Sequence, residues 1–165
     1  MAIGQDFGYN HANAILLIGI KDEDLYVIKE LYEFGKDTQE LISLAEDKFP
    51  KTRTMWCDSA EPDRIQMWGR AGYMARPVSK ETIRGKKYQA VQVDWLKQRR
   101  IYIDPSCTNT IKEISQWKWK RDQASGEYLD EPVAFFDDAM AALRYGVEGW
   151  RKEIGVSVHL IRHSL

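Results

Sequence analysis

Four acidic side chains stand where chemistry could use them. Asp6 closes a short apolar segment as the chain enters a turn at Gly8. Asp58 ends the segment after the first expected helix, and the Asp137-Asp138 pair opens the last one. A carboxylate flanked by apolar residues is costly unless it meets a cation or a hydrogen-bond donor. Carboxylates gathered from distant parts of one chain form an oxygen-rich site suited to Mg2+ or Mn2+. Hard cations held in this way clamp a scissile phosphate, activate a water and stabilise the leaving oxygen. Each residue also has a purely structural role open to it. Asp6 suits a turn before Gly8, and Asp58 suits the start of a helix entered at Pro62. Either Asp137 or Asp138 suits the positive N-terminus of the last helix. Spacing alone does not decide whether the set converges.

The elements that must position these residues follow from apolar periodicity and turn chemistry. Residues 2–6 and the apolar run 14–20 (AILLIGI) read as strands, and a charged turn at 21–24 leads into an extended segment from Leu25 to Tyr32. Short connections of this kind predict an antiparallel meander. Asp37 or Thr38 caps a helix running to residue 48, which Pro50 stops. Residues 52–57 read as a strand, Pro62 opens a short helix through residue 68, and 74–78 form another strand. Residues 79–98 read as a helix with Gly85 as a weak point, followed by a strand at 100–104 and a short helix at 110–117. Residues 115–121 and 127–130 flank a polar turn at 124–126, as a hairpin does. The last helix spans 136–152, with Ala139, Ala142, Leu143 and Tyr145 facing inward. This order predicts one α/β domain.

Composition narrows the function classes. Hydrophobic residues make up 44% and charged residues 30%, which supports a packed core. Lys+Arg total 24 against 25 Asp+Glu, a net charge of -1, so a polybasic tail is excluded while a basic face is not. The run 14–20 is too short to span a bilayer, and no charged segment leads into an apolar signal. Cys57 and Cys107 lack metal-ligand spacing and call for no oxidising compartment, so the chain reads as cytosolic. It carries no G-x-x-x-x-G-K-[ST] loop, so ATP hydrolysis is not expected of it. Positive charge concentrates in residues 79–100, where Lys80, Arg84, Lys86, Lys87, Lys97, Arg99 and Arg100 face only Glu81 and Asp94. Lys118, Lys120 and Arg121 interleave with Trp117 and Trp119 on the expected hairpin. Lys80, Arg84, Lys86, Lys87, Lys118, Lys120 and Arg121 are the candidate phosphate contacts, with a solvated helix face as the alternative. His11 reads more readily as a solvated loop residue than as a ligand, and His159 and His163 as bystanders. Glu61 suits a first helical turn, and Arg144 suits a structural ion pair.

Three segments resemble one family, the C-terminal nuclease domain of the large terminase subunit of tailed bacteriophages and prophages. Gly4-Gln5-Asp6-Phe7-Gly8 is similar to its G-x-D-x-G strand, and Asp58-Ser59-Ala60-Glu61-Pro62 matches its D-S-A-E-P. Residues Asp137 to Tyr145 (DDAMAALRY) are close to its N/D-H-x-x-D-A-x-R-Y ending. The resemblance covers nearly the whole chain. It implies a ribonuclease H-like (resolvase/integrase-like) fold, a mixed central sheet flanked by helices with an additional β-hairpin. Residues 1–165 are then a single nuclease domain, with the family's N-terminal ATPase motor outside this chain. The activity implied is endonucleolytic cutting of concatemeric viral DNA during packaging, with little sequence specificity. It would use Mg2+ or Mn2+, two ions per site once substrate is bound. Asp6, Asp58 and Asp138 are the implied catalytic residues, and the same three with Asp137 are the implied metal-binding set, Asp137 standing close enough to substitute for Asp138 or assist it. Asp138 sits where many members carry histidine, and Ala141 replaces the later carboxylate. Implied partners are double-stranded DNA, the motor domain, the small terminase subunit and the portal protein, in the cytoplasm of the infected bacterial host. A Holliday-junction resolvase or integrase-like nuclease, and a catalytically weak module docking on DNA or portal, are the alternatives.

Overall fold

The computed structural model describes residues 1–82, 85–117, 119–121, 128–132 and 137–152, with backbone alone for 119–121 and 128–132. Strands β1 (Ala2–Asp6), β2 (Asn13–Lys21) and β3 (Asp24–Glu33) form an antiparallel meander. The β2–β3 hairpin turns on Asp22 and Glu23, at φ 51° and 67°. A two-residue turn with both positions at positive φ matches the twist of the strands it joins. Strand β4 (Thr54–Cys57) adds to β1 in parallel and β5 (Met74–Pro77) adds to β4 in parallel. On the other side β6 (Ile101–Ile103) pairs with β3, also in parallel. The six-stranded mixed sheet has the order β5-β4-β1-β2-β3-β6.

Helices α1 (Thr38–Ala45) and α2 (Pro62–Arg70) cover one face. Helices α3 (Tyr88–Lys97), α4 (Thr108–Gln116) and α5 (Asp138–Gly146) lie over the other. Covering on both faces explains why the run 14–20 is apolar without a break. Ile15 and Leu17 point into the core with α1 and α2, while Ala14, Leu16 and Ile18 point into the core with α5. Every residue of α5 is buried, because it lies on β1, β2 and β4 and touches α3 and α4. Its approach to β1 is backbone against backbone. A Cβ on Gly4 would collide with the Ala142 carbonyl oxygen, and one on Gly146 would collide with Ile18 Cδ1.

Strands β7 (Trp119–Arg121) and β8 (Tyr128–Pro132) pair antiparallel as a separate two-stranded sheet. The expected turn at 124–126 lies outside the described residues. Two expected helices differ from those observed. Residues 79–82 are not helical and α3 starts only at Tyr88; Gly85, at φ 79°, adopts a conformation that no helix contains. The last helix pauses at Val147 and resumes at residues 148–152. Among the described residues no helix is long and apolar enough to cross a membrane.

Candidate active site

Parallel pairing of β1 with β4 sets the two strand-borne carboxylates side by side. Gln5 is in register with Cys57, and the Asp58 amide donates to the Gln5 carbonyl at 3.2 Å. Side chains alternate across a strand. Asp6 therefore shares a face with Gly4, and Asp58 shares a face with Trp56, the face that α5 covers. Close packing of α5 on Gly4 brings its first turn, with Asp137 and Asp138, to the same sheet end. The β1–β2 turn completes the wall and carries His11. The Gly8 amide donates to Asn13 Oδ1 at 3.0 Å. Arg64, on α2, donates to that same oxygen at 2.8 Å and to Thr38 Oγ1 at 2.9 Å. Its guanidinium also stacks 4.6 Å above the Phe7 ring.

These placements gather one set of donors. Ligand atoms of Asp6, His11 and Asp138 all lie within 4.8 Å of one another, and His11 Nδ1 is 2.6 Å from Asp138 Oδ1. The second Asp138 oxygen accepts from the Tyr32 hydroxyl at 3.3 Å. That hydroxyl is held chiefly by Glu113, at 2.7 Å, and the other Glu113 oxygen accepts from the Met140 amide at 3.0 Å. Glu113, from α4, therefore anchors the start of α5 and the phenol that steadies Asp138. A cavity of about 470 Å3 opens in front of the donors, lined among others by Asn10, Phe34, Asp137, Arg144 and Tyr145. Asp58 stands beside this set and outside it. Its carboxylate pairs with Lys80, accepts from the Ala60 amide at 2.9 Å and meets the Tyr145 hydroxyl at 3.4 Å.

The electrostatics show what the arrangement lacks. Burial pushes the Asp6 carboxyl up to about 8, and the charges of Asp58, Asp138 and Asp137 push the same way against Arg144. Asp137 is also raised, by burial first, with Arg144 opposing. Burial lifts Glu113 to about 7 despite its hydrogen bonds from Tyr32 and the Met140 amide. Arg144 is the buried cation of this region, 2% exposed and bonded to Gln92 Oε1 at 3.3 Å. With Asp58 paired to Lys80, one guanidinium still does not balance the three carboxylates of Asp6, Asp137 and Asp138. Two carboxylate oxygens and an imidazole nitrogen, at an acidic cavity, fit a hexacoordinate divalent ion such as Mg2+ or Mn2+.

Ligand atoms of Asp6 and Asp138 thus come together, Asp137 lies on the cavity wall, and Asp58 is adjacent to Asp6 with a lysine on it. His11, read from the sequence more readily as a solvated loop residue than as a ligand, is exposed on the β1–β2 turn and also reaches Asp138. The available signal was its place on the glycine turn directly after Asp6. Of the candidate phosphate contacts, Lys80 pairs with Asp58, and Lys86 pairs with Asp94 at 3.1 Å on the surface. Lys87 precedes the first residue of α3. Arg84 and Lys118 lie outside the described residues, as do the side chains of Lys120 and Arg121 on β7 and the whole of His159 and His163. Glu61 stands at the start of α2 without a side-chain cap. Arg144, expected in a structural ion pair, is buried, donates to Gln92 Oε1 and lines the cavity.

A mixed sheet flanked by helices, with carboxylates at the ends of two adjacent parallel strands and a third on the helix crossing them, is the ribonuclease H-like fold. The family model described as terminase RNase H-like domain matches residues 6–149, and the chain belongs to that family. Its fold is shared with the large terminase nuclease domain of bacteriophage SPP1, solved with bound Mn. That match has a TM-score of 0.76 and 20% identity, over 90% of this chain and 86% of that one. The nuclease domain of the P22 large terminase matches with a TM-score of 0.71 and 17% identity, over 91% and 80%. The large terminase of the thermophilic bacteriophage D6E, solved in complex with ATP-gamma-S, matches with a TM-score of 0.67 and 20% identity. There the match covers 87% of this chain and 38% of that one. No curated protein sequence matches the chain.

Proposed function

We propose that this chain is a divalent-metal-dependent DNA endonuclease that cuts concatemeric viral DNA during genome packaging, with little sequence specificity. The observation that carries the reading is the convergence of Asp6, His11 and Asp138 within 4.8 Å, two buried carboxylates and an exposed imidazole at an acidic cavity. Asp6, His11 and Asp138 would hold one ion, and Asp58 beside Asp6 would hold a second once substrate is present. When bound, Mg2+ or Mn2+ supplies Lewis acidity toward a phosphate oxygen and the attacking water. The chain's own residues do the rest. Glu113 and Tyr32 fix the carboxylate of Asp138, Arg64 holds the turn that presents His11, and Asp137 adds negative charge at the pocket wall. Arg144 offsets part of the carboxylate repulsion from below. Duplex DNA would be held through its phosphates by Lys80, Arg84, Lys86, Lys87, Lys118, Lys120 and Arg121, which gives affinity without sequence choice.

Residues 1–165 are read as one nuclease domain working with an ATPase motor domain, the small terminase subunit and the portal, in the cytoplasm of an infected bacterium. The motor context is supported by the D6E large terminase, of whose length this chain spans 38%. Supercoiled-plasmid cleavage with Mn2+, Mg2+ or EDTA tests the activity, alongside Asp58→Ala and Asp138→Ala. Cutting that needs metal and is lost in both variants supports the reading. Cutting that persists in EDTA sinks it. Binding without cleavage under every metal would point to the docking module, for which Ala141, a cavity residue without a donor, is the supporting feature.

A further inference from the structure

We propose that Lys80 is a latch on the second cation position: its ammonium neutralises Asp58 in the metal-free protein and moves to a DNA phosphate when substrate enters, opening Asp58 to a second ion. The inference rests on the metal-centre reading above and assigns the order in which that centre fills.

Of the two carboxylates at the paired ends of β1 and β4, Asp58 is the one that the three-donor set leaves out. It is not idle, since Lys80 Nζ sits on its Oδ1. The lysine is brought there by backbone, not by chance reach. The Val78 amide donates to the Cys57 carbonyl at 2.9 Å, and the Ser79 amide donates to Glu148 Oε1 at 3.4 Å. These contacts pin the chain leaving β5 between β4 and the end of α5. The side chain of Lys80 is 33% exposed against 19% for Asp58, with its ammonium 6.0 Å from the centre of the Tyr88 ring. Neither side chain lines the cavity itself; the hydroxyl of Tyr145, which does, reaches Asp58, and Lys80 is the more solvent-exposed of the pair.

An ammonium and a divalent ion cannot share one carboxylate oxygen at contact distance. Their like charges repel at short range, so Lys80 and the second ion compete for Asp58. At the first position the group resting on Asp138 is His11, an imidazole that can turn from hydrogen-bond partner to ligand, which an ammonium cannot do. A phosphodiester entering the cavity offers Lys80 another anion of the same charge as Asp58, with strongly accepting oxygens, and it removes the lysine without stripping its charge of a partner. Substrate would thus prepare the second site. A cutting centre that completes itself only on DNA keeps the resting protein from assembling its full cation set.

Two measurements test this without relying on cleavage. Mn2+ binding to the DNA-free protein is followed by electron paramagnetic resonance. Wild type is expected to take one ion tightly and a second weakly. Lys80→Met is expected to tighten the second by about tenfold, the size of one part-buried ion pair, while Lys80→Arg behaves as wild type. Should Lys80→Met fail to fold by circular dichroism, Lys80→Gln serves in its place. An unchanged second-ion affinity in the neutral variant overturns the latch. In EDTA, fluorescence anisotropy with a short duplex gives the complementary cycle. Asp58→Asn is expected to tighten DNA binding by releasing Lys80, with the gain lost in the Lys80→Met/Asp58→Asn double variant; strict additivity overturns the proposal. Failure of wild type and variants to bind a first ion would refute the metal centre instead, while the EDTA cycle still judges the Lys80–Asp58 coupling.

Discussion

The metal-free pocket binds a proton that a metal ion must displace, and this has a measurable consequence. Asp6 is pushed up to about 8 by burial and by the surrounding carboxylates. A ligand must be ionised to coordinate, so apparent affinity scales with the ionised fraction of Asp6. With a folded value of about 8, that fraction is about 1% at pH 6 and about half at pH 8. Mn2+ affinity should therefore rise about 50-fold across those two units and flatten above pH 8, with close to one proton released per ion bound at pH 6 and about half a proton at pH 8. Isothermal titration calorimetry in buffers of different ionisation enthalpy reads both the affinity and the proton count. Asp6→Asn should remove the slope along with most of the affinity. The stability of the metal-free protein carries the same signature with a definite sign. The folded value lies above the ordinary 3.8, so the folded state holds the extra proton between about pH 4 and pH 8. Stability contributed by this group is present at the acid end and is lost as pH rises through that window, by up to about 1.4 kcal/mol per unit. Glu113, raised to about 7, acts in the same direction. Mn2+ affinity that stays flat from pH 6 to pH 8 would refute the reasoning.

Three further outcomes are expected. His11→Ala should weaken Mn2+ binding at least about tenfold with little change in melting temperature, because the imidazole side chain is 59% exposed and packs against little; an unchanged affinity by calorimetry removes His11 from the centre. Tyr32→Phe should lower stability by about 1–2 kcal/mol by stripping Glu113 of its donor. It should also weaken Mn2+ binding several-fold by freeing Asp138; urea unfolding and calorimetry separate the two effects. Gly4→Ala should cost at least about 3 kcal/mol, because the new methyl meets the Ala142 carbonyl and neither backbone can give way. A soluble variant with an unchanged unfolding midpoint would count against that packing.

Much of this molecule is a matter of local pattern. Unbroken apolarity over residues 14–20 marks a strand covered on both faces. Asp37 followed by Glu40 closes a reciprocal cap on α1, and Pro62 opens α2. Asp6, Asp58 and Asp138 are legible because each sits at a strand end or helix start, in a segment similar to a known family. Local pattern also misleads in one stretch. Residues 79–98 have the composition of a helix, yet 79–82 are not helical, and the amides of Val78 and Ser79 are taken by Cys57 and Glu148, partners that only the folded chain supplies. The partners of the site are likewise tertiary. His11 reaches Asp138 across 127 positions, and a turn held by Arg64 and Asn13 decides that it does. Lys80 reads as one more cation in a basic stretch until β5 delivers it to Asp58. The sequence by itself determined which residues could bind a metal ion, since donor chemistry belongs to residue type. Tertiary structure alone decided which donors meet and which is held apart by an ion pair, because those outcomes depend on distances of a few ångströms between segments that no spacing along the chain encodes.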